Sequence, residues 1–175
     1  MLIDVTKIKS SAQTVDEVDL QEKVDAAAYD YAELNLTAPL TFHGTIENVP
    51  PYFHLKGELA ASLELVCSRC LAPYNLDFVL DIEEAYTNKP EAIIEEDDEI
   101  GLFEGDDIDI TPALLKALFM ELPMHPLCRP DCRGICPDCG ADLNRRECAC
   151  NKDNIDLRLE KLKGLFDKMN SDKEV

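Results

Sequence analysis

Eight cysteines set in four close pairs constrain this 175-residue chain more than any other feature. Six lie within residues 127–150, LCRPDCRGICPDCGADLNRRECAC, and two in VCSRC at 66–70. The pairs are Cys67-x2-Cys70, Cys128-x3-Cys132, Cys136-x2-Cys139 and Cys148-x-Cys150. Tetrahedral Zn²⁺ takes four thiolates, and a C-x2-C turn brings two sulfurs onto one ion. In Cys136-Pro137-Asp138-Cys139-Gly140 the chain must turn sharply behind the second sulfur. A residue without Cβ tolerates positive φ there and lets backbone N–H groups point at sulfur. A lone C-x2-C is weak evidence, but this knuckle followed by Cys148-Ala149-Cys150 is strong. The expectation is two structural zinc sites that use all eight cysteines.

Kept as intact pairs, the cysteines can form two sites in three ways. The preferred grouping places Cys136, Cys139, Cys148 and Cys150 in one short loop. Cys67, Cys70, Cys128 and Cys132 then form a second site that closes a long stretch of chain and stabilises the fold accordingly. His125, in MHPLC, is read as an ordinary surface histidine, with replacement of one thiolate as the alternative; His43 and His54 are assigned no role. Each four-thiolate zinc site carries a net −2, which nearby cations offset. Arg69, Arg129, Arg133, Arg145 and Arg146 lie among the ligands. Charge compensation is their plain role, and contact with RNA phosphates through Arg133, Arg145 and Arg146 the sharper one. No aromatic residue falls between 124 and 150, so a base-stacking platform there is disfavoured.

Other chemistries fit less well. The N-terminus, MLIDVTKIKSS, lacks the pattern of a signal peptide, and no run of about 18 apolar residues exists, so a cytoplasmic chain without a membrane segment is expected. A reducing cytoplasm opposes structural disulfides. A thiol–disulfide oxidoreductase would use Cys67-Ser68-Arg69-Cys70, but that motif follows one strand pattern and enters another, whereas a redox C-x2-C opens a helix. A catalytic zinc site needs three ligands, an open position and a base. No phosphate-binding loop, Ser-His-Asp set or H-E-x-x-H motif is present, so neither an enzyme nor a small-molecule substrate is expected.

Charge is distributed unevenly. Residues 1–127 carry 7 Lys and Arg against 26 Asp and Glu, a net of −19, whereas residues 128–168 carry 9 against 8. An acidic body repels a nucleic-acid backbone and attracts basic partners. EEDDE at 95–99 and EGDDID at 104–109 read as a solvated acidic loop, with a docking surface for a basic partner as the alternative.

Period-two alternation marks strands. Even positions from Leu36 to Ile46, odd positions from Phe53 to Leu65, and Leu76, Phe78, Leu80 and Ile82 are apolar or small, each set opposite polar neighbours. Asn48-Val49-Pro50-Pro51 signals a turn. Gly44 and Gly57 read as bends, since long strands tend to curl. Residues 2–8 suggest a further strand. Residues 14–33 stay open between a helix cap at Thr14-Val15-Asp16-Glu17 and a strand through Val18 and Leu20. A helix follows with Thr111 as its cap, Pro112 in its first turn, Ile110 stapled onto Leu115, and Pro123 as its stop. A last helix from about Asp156 shows Leu159, Leu162, Leu165, Phe166 and Met169 at helical spacing, a stripe read as core. The expected fold class is α+β: a curled antiparallel sheet packed with a helix, a small cysteine-rich zinc module and a C-terminal helix. The boundaries fall at 1–127, 128–152 and 153–175.

CSRCLAPY (67–74), DIDITPALLKALFMELPMHPLC (107–128), CRGICPDCGADLN (132–144) and CAC (148–150), in that order, resemble the bacterial YceD family, the large ribosomal RNA subunit accumulation proteins. The resemblance covers roughly residues 1–168. It implies a small, non-enzymatic cytoplasmic protein supporting large-subunit ribosomal RNA accumulation or processing. It assigns all eight cysteines as family positions and no catalytic residue; zinc itself is read from their spacing. With the charge pattern, the expected partner is a basic ribosomal protein or a pre-ribosomal particle.

Overall fold

The computed structural model describes residues 1–92 and 100–150. In chain order the elements are β1 (Leu2–Asp4), the one-turn helix α1 (Thr6–Lys9), β2 (Val15–Glu22), a 3-10 turn at Ala26–Tyr29, β3 (Leu40–Val49), β4 (Tyr52–Val66), β5 (Pro73–Thr87), a second 3-10 turn at Pro90–Ala92, β6 (Ile100–Leu102), β7 (Asp107–Asp109) and α2 (Thr111–Met120). The chain divides into two compact units, Met1–Cys132 and Arg133–Val175, the second described as far as Cys150. Cys128 and Cys132 therefore fold with the sheet unit. The expected C-terminal helix from Asp156 and the acidic run at 95–99 lie outside the described residues.

The fold is mixed α+β, built on a five-stranded sheet in the order β2-β3-β4-β5-β6. Alternation decides the faces. Leu40, Phe42 and Ile46 on β3, Leu55, Leu59 and Leu63 on β4, and Phe78 and Ile82 on β5 are buried in one core with Leu114, Leu115 and Leu118 of α2. Full burial of each such side chain contributes about 1.5–3 kcal/mol. Register is continuous, with Phe42 opposite Leu59 and Leu59 opposite Leu80. A one-residue slip would turn these core residues to solvent.

Several details differ from the sequence reading. The sheet is not wholly antiparallel: β6 pairs parallel to β5, Ala85 opposite Ile100. About a dozen residues separate the two strands, the length a parallel crossover needs. The curl expected of the sheet is not seen in its pairing. Gly44 and Gly57, expected as bends, instead sit directly opposite each other in unbroken register. β3 begins at Leu40 rather than Leu36, which makes only an isolated bridge to Leu63. Pro39 between them has no N–H to give a ladder.

Residues 15–22 are a strand, β2, paired antiparallel to β3, so the alternation of Val18 and Leu20 prevails over the cap signal. β1 ends at Asp4 and pairs with β7 in a separate two-stranded sheet. Thr111 lies inside α2 and makes no side-chain cap; its N–H donates to Asp109 Oδ1 at 3.0 Å instead. Asn48, expected in a turn, is a buried residue within β3, one position before its end, and its Nδ2 donates to Ile8 O at 2.7 Å and Ser11 O at 3.1 Å. Those bonds fix the segment after α1 to the sheet.

Candidate metal centres

The eight cysteines are free thiols and gather into two quartets, Cys67, Cys70, Cys128 and Cys132 in the first unit and Cys136, Cys139, Cys148 and Cys150 in the second. Within each quartet the sulfurs all lie within 4.8 Å of one another. In the first, Cys67 Sγ is 3.8 Å from Cys132 Sγ and Cys70 Sγ 3.7 Å from Cys128 Sγ. Four sulfurs held tetrahedrally at about 2.3 Å from a zinc ion are about 3.8 Å apart. A disulfide would bring two of them to about 2.05 Å. The donor set and its spacing therefore fit an ion of zinc's size and softness, and each quartet can hold one.

Both quartets start from the same turn. After β4, Cys67 N–H donates to Ala72 O at 3.0 Å and Leu71 N–H to Cys67 O at 2.9 Å. In the second unit, Cys136 N–H donates to Ala141 O at 2.8 Å and Gly140 N–H to Cys136 O at 2.9 Å. Flanking pairs match as well, Val66 opposite Pro73 and Ile135 opposite Asp142. Each knuckle is thus the tip of an antiparallel hairpin, the long β4–β5 hairpin in the first unit and a single bridge in the second. CSRCLA at 67–72 and CPDCGA at 136–141 carried this signal. Comparing the two stretches shows C-x-x-C-x-A twice, a likeness the sequence reading missed.

The hairpins present backbone donors to sulfur. Backbone N–H groups of Cys128 and Cys70 lower the Cys67 thiol to about 6. Those of Cys139 and Asp138 lower Cys136 to about 7. Their partners move the other way: burial and the neighbouring thiols push Cys128 up to about 12. Hydrogen bonds from Cys139 and Cys136, with burial, push Cys150 up to about 12. Four crowded sulfurs cannot all ionise without a cation among them, and a divalent ion supplies that charge.

The arms of the first centre come from distant parts of the chain. Ser68 N–H donates to Pro126 O at 2.8 Å, and Arg69 Nη1 to Cys132 O at 2.9 Å, which bind the β4–β5 turn to the segment leaving α2. In the second, Asn144 Oδ1 accepts from Arg133 N–H at 2.8 Å and Leu143 N–H donates to Gly134 O at 2.9 Å. His125 is exposed and joins neither quartet. Arg133 pairs with Glu147 and Arg145 with Asp142, at 3.4 and 3.3 Å. Among the described residues no helix is long and apolar enough to cross a membrane.

The family model for YceD, the large ribosomal RNA subunit accumulation protein, matches residues 55–166, a span that contains both quartets. The chain belongs to the YceD family. That span is narrower than the 1–168 expected from the motifs, and it leaves out β1 to β3.

Among the relatives it matches, an uncharacterized protein of Mycobacterium tuberculosis is 34% identical over 119 residues, covering 67% of this chain and 57% of its own. A Zea mays protein named large ribosomal RNA subunit accumulation protein YCED homolog 1, chloroplastic, is 28% identical over 143 residues, 64% of this chain and 48% of its own. The uncharacterized protein YlbN of Bacillus subtilis is 31% identical over 115 residues, 65% of this chain and 64% of its own. The chain thus spans 57% of the length of the mycobacterial relative it matches. No solved structure matches it.

Proposed function

We propose that this chain is a non-enzymatic, zinc-holding cytoplasmic factor that supports large-subunit ribosomal RNA accumulation or processing by binding a basic ribosomal protein or a pre-ribosomal particle. The maize relative's name supplies the process. The observation that carries the binding mode is charge: a net −19 over residues 1–127, joined to a segment that is nearly neutral. Such a body attracts polycations and repels phosphates. The two thiol quartets are rigidifying devices in this reading. Zinc in each would lock its hairpin, and in the first centre would also hold the segment that follows α2.

Pull-down from a lysate, with and without nuclease, tests the proposal directly. Basic ribosomal proteins should remain bound after nuclease and leave as salt rises, because screening shortens from about 8 Å at 0.15 M to about 3 Å at 1 M. Retention that ignores salt, or that vanishes with nuclease, would overturn it.

Direct RNA binding through Arg133, Arg145 and Arg146 is the second reading. Two of these guanidiniums already face an acid, and Arg146 has no ion pair among the described residues. Replacing all three by Gln should leave RNA association unchanged if the first reading holds. Oxidoreductase chemistry at Cys67 fits poorly, because that thiol is buried at the end of a strand and surrounded by three others.

A further inference from the structure

One face of the five-stranded sheet forms the core; the other is exposed and lined with acids. Asp19, His43, Glu58 and Asp81 stand in one row across β2, β3, β4 and β5, in register and all exposed. Glu17, Thr45, Lys56 and Glu83 form the next row, also exposed. Lys56 is the single lysine in the two rows and is already held by Glu83 at 2.6 Å. Asp19 lies 3.2 Å from His43 Nδ1. Glu58 and Asp81, by contrast, face each other directly across β4 and β5. Like charges opposite one another weaken a strand pair, so folding gives no reason for this arrangement.

Beside the acidic rows the surface changes character. Gln21, Thr41, Ala60, Ser62, Asp77 and Val79 line a shallow depression of about 340 Å3. Val79 is 64% exposed at its edge, a large apolar side chain bordered by carboxylates. An acidic field beside an apolar dent matches a polypeptide that carries cations together with an apolar side chain.

We propose that this sheet face is the docking surface for a lysine- or arginine-rich segment of the partner polypeptide, with cations over the Asp19–Asp81 and Glu17–Glu83 rows and an apolar side chain against Val79. The inference rests on the reading that the partner is basic, and it locates where that partner binds. A second copy of this face would be repelled by its own charge, and RNA by the same field. Residues 151–175 carry as many acidic as basic side chains, so they offer no net complement.

The test uses the full zinc-loaded chain and a decalysine peptide as probe. Asp19→Asn, Glu58→Gln and Asp81→Asn are combined in one variant. Glu33→Gln, Glu91→Gln and Glu121→Gln, exposed acids off this face, make a control of identical net charge. The face variant should bind decalysine at least ten-fold more weakly, the control less than three-fold, and the peptide should shift the Val79 amide signal of the parent chain. Equal weakening in both variants, or shifts confined to other residues, overturns the proposal. Thermal unfolding of the face variant should occur no lower than in the parent, because the change removes the Glu58–Asp81 repulsion and, against it, only the exposed Asp19–His43 contact. Lysate capture separates the two readings: if the face variant still retains basic proteins, the docking surface fails alone, whereas if the parent retains none, the functional proposal fails.

Discussion

Leu71 and Gly140 occupy the same place in two equivalent turns. Each follows the second cysteine of its C-x2-C, each donates its N–H to the carbonyl of the first, and each has positive φ, 58° and 70°. The hydrogen-bond pattern of the knuckle, not the residue type, imposes that conformation. Gly140 meets it without strain, whereas Leu71 holds an L side chain in the left-handed region and exposes it to solvent.

The pair predicts opposite responses to exchange. A non-glycine residue in the left-handed region costs about 1–2 kcal/mol, and the greater chain entropy of glycine offsets about 0.5–1 kcal/mol of any relief. Leu71→Gly should therefore stabilise the first unit by about 0.5 kcal/mol. A Cβ at Gly140 would meet nothing within 4 Å, so the penalty there is conformational only. Gly140→Ala should weaken metal binding by about five-fold, equivalent to about 1 kcal/mol. Chelator competition and thermal unfolding measure the two effects, and a gain in metal affinity for Gly140→Ala would contradict the account.

The two centres should differ in what their loss does. The sulfur pairs Cys67–Cys132 and Cys70–Cys128 are separated by 65 and 58 residues, whereas the second quartet is contained within 136–150. Closing the longer loop removes more freedom from the unfolded chain. Elemental analysis of reduced protein should find two zinc ions per chain, and Cys67→Ser and Cys148→Ser should each lose one. Cys67→Ser should lower the Tm of the sheet unit by at least about 10 °C, and Cys148→Ser by less than about 2 °C. Equal shifts would refute the difference.

Tyr86 gives a prediction with a pH signature. It is buried, and its hydroxyl has no hydrogen-bond partner among the described residues. Tyr86→Phe should thus stabilise the fold by up to about 1 kcal/mol at pH 7. Burial, with Glu84 and Asp109 nearby, pushes the phenol well above its usual range. Its contribution is intact below about pH 10, where the unfolded phenol begins to ionise, and is lost as pH rises further because the folded chain then binds more protons than the unfolded one. Denaturant titrations of parent and variant should diverge above pH 10; parallel curves would remove the argument.

Gly57 is fixed by close approach. A Cβ there would fall 2.6 Å from Gly44 Cα and 2.7 Å from Phe42 Cζ, closer than side chains tolerate. Gly57→Ala should lower stability by about 1–3 kcal/mol in urea unfolding. A change within about 0.5 kcal/mol would show that the strands part easily at this pairing.

What was legible in the sequence was local and periodic. Alternation at Leu55, Leu59 and Leu63 identified a half-buried strand, because successive side chains in a strand point to opposite faces. The C-x2-C spacings identified sulfur pairs, because so short a turn leaves them little room to separate. Pro112 and Pro123 bracketed the helix for the same kind of reason: a residue lacking N–H acts on its immediate neighbours. The cap did not follow: Thr111 lies inside α2, and its N–H donates to Asp109 two residues earlier, a local bond that the reading of Thr111 as the cap passed over.

Partnership over distance was decided by the tertiary structure. Four cysteine pairs admit three groupings; the short loop from Cys136 to Cys150 already favoured one in the sequence, and the approach of the segment after α2 to the β4–β5 turn brings that one together. Strand β6 and the facing of Gly44 with Gly57 are likewise settled by pairing, which depends on which surfaces meet. The row that sets Glu58 against Asp81 is equally invisible along the chain, because its members come from four separate strands and meet only through the register of their pairing. Sequence fixes what each residue can do with its neighbours, and folding determines which distant groups it meets.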